Sequence, residues 1–226
     1  MKRCSVIPVV FVCMLIPAVG GAQNSSSSIH RDLHYTISMG GKPVGTSEIS
    51  VEPEHDGRAT LRSRTRIDLK SPLFSYHYTS AVRETWSGER LISAEAETID
   101  DAKTSHTQVT RVADTVVVVT DKGERRLTGN VATTSFWNLP RMPNATLTFI
   151  DVETGVDFQA QARFVKETEF AINGSAMPCR LWQLAGDIKT QLCFDRDDVL
   201  VRMEYEEQGQ RFVYELITTT TLKEKP

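Results

Sequence analysis

The sequence predicts an all-β chain, an antiparallel meander forming a strongly curved sheet or open barrel with one short helical segment. Three observations lead there. Apolar and polar residues alternate at a period of two along most of the 226 residues. Turns bearing Gly, Asp or Asn separate the alternating runs at short intervals. A single stretch departs from the alternation. Two packed sheets with dry inner faces also fit the pattern, but polar residues on one side of many runs do not require them.

The first run, LHYTISM, sets Leu33, Tyr35, Ile37 and Met39 on one face. GGKP turns the chain, and VGTSEISVE returns with Val44, Ile49 and Val51, where Gly45 marks a bulge or a close approach. TLRSRTRIDL sets Leu61, Ser63, Thr65, Ile67 and Leu69 against Arg62, Arg64 and Arg66. FSYHYTSAVRETW is the longest clear strand, with Phe74, Tyr76, Tyr78, Val82 and Trp86 in phase. Further runs follow from LISAEAETI to RRLTG, and again from DFQAQARFVKETEFAI to the C-terminal RFVYELITTTTL. Between these two sets, NVATTSFWNL reads as helical, with Thr133 or Thr134 as its N-cap and Pro140 as its stop.

The ends bound the setting. Lys2 and Arg3 precede an uncharged apolar run, VIPVVFVCMLIPAV, and Gly20 and Ala22 supply small residues for cleavage before Gln23. Residues 1–22 are therefore expected to be an export signal, residues 23–30 a polar tether, and residues 31–222 one β-rich domain. Retention of the apolar run as an anchor is the alternative. The expected location is the periplasm or the exterior, with a mature chain that does not span the membrane. The net charge of −3 becomes more negative without Lys2 and Arg3, which argues against nucleic acid as a partner.

Cys4 and Cys13 leave with the signal, so Cys179 and Cys193 remain as one pair or two free thiols in an oxidising compartment. A three-residue loop at 185–187 would place them opposite one another across a hairpin; a two-residue loop would oppose Cys179 to Phe194 instead. They lack the Cys-x-x-Cys spacing of redox dithiols, so a structural disulfide is the expectation.

Catalytic patterns are absent from the sequence. It has no G-x-S-x-G elbow, no H-E-x-x-H and no phosphate loop. His30 and His34 lack a third ligand for a metal, and no cofactor is expected. Asp100-Asp101 and DRDD (195–198) suit turns, where Asp bonds its own backbone. The aromatics are the better candidates. Trp86, Phe136, Trp137 and Trp182 would either form the core or line a pocket for an apolar ligand, and Arg141, between two prolines, would hold an anionic head group. The expected role is non-enzymatic binding of a lipid or apolar small molecule. The alternative is contact with an envelope protein through an edge strand or FWNLPRMP, and an unrecognised enzyme, marked by a compact cluster of buried titratable residues, is the third reading.

YTISMGGKPVGTSEI, ETWSGERLISAEAET, SFWNLP with DVETG, and CFDRDDVLVRMEYEEQGQRFVYEL occur in order over roughly residues 33–217. In this order they resemble an uncharacterised family of exported bacterial proteins, catalogued as a domain of unknown function. The resemblance implies a bacterial envelope setting and transfers no catalytic residue. Family members usually read Trp-Tyr-Asp where this chain reads CFD, which makes the disulfide a local variation. The curved antiparallel sheet is also similar to the periplasmic lipoprotein carriers.

Overall fold

A computed structural model of the chain describes residues 29–54, 56–70, 75–137, 139, 145–207 and 209–223. The expected signal, most of the tether, and Arg141 lie outside the described residues. Alternation along the chain becomes strands joined by tight turns. The first half contains β1 (Ile29–Met39), β2 (Lys42–Pro53), β3 (Arg58–Lys70), β4 (Ser75–Ser87) and β5 (Arg90–Asp100). It continues with β6 (Lys103–Val112), β7 (Thr115–Thr120) and β8 (Gly123–Thr128). The second half contains β9 (Val131–Thr133), β10 (Ala145–Ile150), β11 (Asp157–Ile172) and β12 (Ser175–Gly186). It ends with β13 (Lys189–Phe194), β14 (Leu200–Glu207) and β15 (Gln210–Lys223). The first strand thus begins at Ile29, inside the segment expected to be tether.

All fifteen strands share one sheet, ordered β8 to β1 and then β15 back to β9. Each half is an antiparallel meander except for the parallel pair β9–β10, and the antiparallel pair β1–β15 splices the two at the centre. The outermost strands, β8 and β9, are separated by two residues of chain, so the sheet must coil until its edges approach. That coiling makes a nearly closed, barrel-like sheet and removes long open edges. The buried apolar residues form three clusters. One gathers Phe149, Trp182, Leu192 and Phe194; another Val82, Trp86, Val116 and Ile150; the third Leu33, Tyr35, Val201 and the two cysteines.

The expected helix at NVATTSFWNL is corrected. Val131–Thr133 form β9, parallel to β10, and no helix occurs among the described residues. Thr133, expected to cap a helix, instead gives its hydroxyl to the buried Glu84 (3.1 Å). The side chains had two polar uses available, and the tertiary one won over the local one.

The hairpin of β12 and β13 also has a register different from either expected one. Ala185 pairs with Lys189 and Leu181 with Cys193, which leaves residues 186–188 as the loop. Cys179 therefore sits diagonal to Cys193 rather than opposite it. The right-handed twist of a long hairpin brings one diagonal close, and the Cα atoms are 5.6 Å apart in a formed disulfide.

Gly45 fulfils both readings given to it. The register slips beside it, between Ile37 and Ser38, and a Cβ at Gly45 would lie 2.1 Å from the Arg66 carbonyl oxygen. Backbone cannot rotate away as a side chain can. Gly45→Ala is expected to cost about 2–3 kcal/mol in chemical denaturation, the scale of overpacking. An unchanged midpoint would show that β2 and β3 can part without loss.

Candidate functional site: a cavity with two buried carboxylates

Small residues on the inner face make room. Across β2, β3 and β4 the inward positions include Gly45, Ser47, Ser63, Thr65 and Ser80, which are too small to reach the opposite wall. Ser47 and Thr65 pair their hydroxyls across the strands at 3.0 Å. Large side chains face them from β14 and β15, including Met203, Tyr205, Phe212 and Tyr214. A cavity of about 930 Å³ remains between, large enough for a drug-sized or short-chain ligand. All five tyrosines of the chain line it: Tyr35, Tyr76, Tyr78, Tyr205 and Tyr214.

Glu84 is the charged residue of the inward stripe of β4, 1 % exposed. Trp86 Nε1 (2.8 Å), Thr133 Oγ1 (3.1 Å) and Ser135 Oγ (3.0 Å) all donate to its Oε2. These bonds fasten the segment after β9 to β4. Burial nevertheless dominates and raises the carboxyl to about 7, with the charge of Glu153 adding to the rise. No Lys, Arg or His among the described residues pairs with it.

Glu153 arrives on the turn DVETG between β10 and β11. Asp151 shapes that turn, accepting from Glu153 N (3.1 Å) and Thr154 Oγ1 (2.7 Å). Tyr78 OH (2.6 Å) and Ser80 Oγ donate to the Glu153 carboxylate, and Thr98 Oγ1 donates to its backbone oxygen (3.0 Å). The side chain lies deep in the molecule yet keeps surface against the cavity. Burial again raises its carboxyl, helped by Asp151. Tyr78 and Tyr214 are pushed far above the usual phenol range and Tyr205 to about 12, chiefly by burial, so all are neutral hydrogen-bonding groups.

The structure distributes the sequence-predicted residues unevenly. Phe136 lines the cavity and meets Phe149 edge-on at 5.8 Å. Trp86 is core and reaches the cavity wall through its bond to Glu84; Trp137 packs edge-on against it at 5.9 Å. Trp182 lies in another cluster, with Phe164 edge-on at 5.8 Å. Sequence reasoning missed Glu84, although its phase with Tyr76, Tyr78, Val82 and Trp86 placed a carboxylate on the buried face. Glu153 carried no such signal, because a turn has no period. Of the acidic pairs, DRDD serves its own turn, Asp195 accepting from Asp197 N and Val199 N (both 2.9 Å), whereas Asp101, at the turn after β5, accepts from His77 N of the neighbouring strand β4 (2.8 Å). Among the described residues no three His, Cys, Asp or Glu stand together as a metal site.

A family model described as "Domain of unknown function (DUF6134)" matches residues 35–217. The chain belongs to this family. The DUF6134 match runs from the middle of β1 into β15 and so takes in nearly all of the barrel and every cavity-lining residue named above. No curated protein matches the sequence. Among solved structures, a beta-barrel-like protein of domain of unknown function DUF1849 from Brucella abortus has a TM-score of 0.64 at 10 % identity. The match covers 87 % of this chain and 99 % of that one, a likeness of fold. A DUF1329 family protein from Desulfovibrio piger covers 86 % of each chain at 11 % identity, with a TM-score of 0.19 that carries no argument.

Proposed function

We propose that this DUF6134 protein is an exported, non-enzymatic binding protein that takes an amphiphilic, lipid-like ligand into the barrel. The observation that carries this is the cavity. A coiled sheet of this size can fill its interior with side chains, and here the small residues of β2–β4 leave about 930 Å³ open beside Ile49, Ile67, Val82 and Phe136. The disulfide supports an oxidising compartment. The envelope-docking alternative has less support, since Phe136 and Leu139 of the FWNLPRMP segment are spent on the core.

A neutral apolar dye, N-phenyl-1-naphthylamine, tests the proposal. Its fluorescence should rise and saturate near one dye per folded protein, and Ser63→Trp, which projects an indole into the cavity from β3, should abolish the rise. Equal binding by the folded variant would move the ligand elsewhere, and no binding by the parent protein would end the proposal. One observation favours a second reading: Glu84, buried and held near 7, is poised for proton transfer. A ligand extracted with chemically altered mass after incubation would favour that enzyme over a carrier.

A further inference from the structure

Apolar and acidic residues line the cavity together, and the acidic ones are barely matched by basic side chains. Among the described residues lining it, seven are acidic and one, Lys189, is basic. Asp100, Asp187 and Glu206 are exposed at its mouth, while Glu84 and Glu153 lie inside. Arginines are plentiful in the chain, but they stand on the outer face of strands such as β3, where Arg62, Arg64 and Arg66 are exposed. The structure thus confines two carboxyls to the interior with no basic side chain beside them among the described residues, so that each ionises most readily when a cation arrives.

Resting on the binding reading above, we propose that the cavity selects amphiphiles whose polar end is cationic, an alkylammonium, with Glu84 and Glu153 receiving the cation. Three features support this beyond the acidic charge itself. The donors to Glu84 all converge on Oε2, and no donor among the described residues reaches Oε1 of this cavity-lining side chain. An ammonium N–H supplies a donor at that oxygen and stabilises the ionised carboxylate in the same contact. Tyr205 stacks on Phe212 at 5.4 Å and leans on Tyr214 at 6.2 Å, giving a patch of aromatic side chains on the cavity wall that faces β4. Aromatic faces attract organic cations. The acidic mouth draws cations in and repels carboxylate or phosphate head groups, so selection begins before contact. Fastening loops alone does not require charge at either position, because a glutamine could accept the same bonds.

Competition against the bound dye separates this inference from the reading it rests on. The probes are dodecylammonium, dodecanol and dodecanoate, each below its micelle concentration, with the protein isolated after expression of the full chain. Dodecylammonium should displace the dye at a concentration about tenfold or more below dodecanoate, with dodecanol between them. Glu84→Gln and, separately, Glu153→Gln should each shrink that ratio to about threefold or less, the ratio being taken against each variant's own dye affinity; either suffices if the other fails to fold. Equal or better displacement by dodecanoate, or a preference unchanged in both variants, overturns the cation assignment and leaves the cavity reading intact. Failure of the dye and all three chains to bind removes both.

Discussion

Cys179→Ala with Cys193→Ala is expected to lower the stability of this protein by about 3 kcal/mol, the chain-entropy value for a ring of this size. The two residues are fourteen apart in sequence and tie β12 to β13. Their sulfur atoms do more than close a ring. Cys179 and Cys193 are 5 % and 1 % exposed and pack with Leu33, Tyr35, Val199 and Val201 beneath the splice of β1 to β15. Alanine keeps the apolar character but leaves a small void, which adds to the loss. For a chain of this length the thermal midpoint should fall by about 6–12 °C. The hairpin is held diagonally, so the cross-link also opposes slippage of its register. A fall of under about 2 °C would show that packing alone holds the hairpin.

Glu84→Gln is expected to change how stability depends on pH. The folded carboxyl sits at about 7, above its ordinary 4.5, because burial favours the protonated form. Folding therefore binds a proton more tightly than the unfolded chain does. The contribution is fully present below about pH 4.5 and is lost as pH rises through about 7. By pH 8 the loss amounts to roughly 3 kcal/mol. Glu153 acts in the same direction. Carboxylates held low by arginine, such as Glu204 beside Arg211 and Arg202, act oppositely, so the difference between parent and variant isolates Glu84. Denaturation at pH 5 and pH 8 should show the Gln variant gaining stability on the parent as pH rises. Parallel curves would mean that Glu84 titrates as an exposed acid does.

Glu84 also marks the boundary of what the sequence discloses. Strands β3 and β4 were legible because Leu61–Leu69 and Tyr76–Trp86 keep strict phase, and a one-residue slip would have turned the whole set outward. Tight turns at 40–41 and 173–174 were legible from their Gly and Asn. What failed was local reading of residues used by distant partners. Thr133 looked like a helix cap until Glu84, far along the chain, took its hydroxyl. The hairpin register of the cysteines depended on whether the loop began at Ala185 or Gly186, a choice made by pairing with β11 on the other side.

The cavity was less legible still. Ser47, Ser63, Thr65 and Ser80 read as ordinary polar positions in three separate strands, and only the β2–β3–β4 register places them side by side. The tryptophans drew attention by size, yet large aromatics mostly fill space, and the walls of the open space carry tyrosines instead. A cavity is a shortage of side-chain volume, which composition along one strand does not report.

Native mass spectrometry of the protein isolated gently from its own cells, followed by solvent extraction, tests the binding of an amphiphile most directly. A reproducible added mass is expected, extractable as an amine-bearing amphiphile and absent from Ser63→Trp. A bare monomer mass under conditions that preserve the fold, for parent and variant alike, would contradict it.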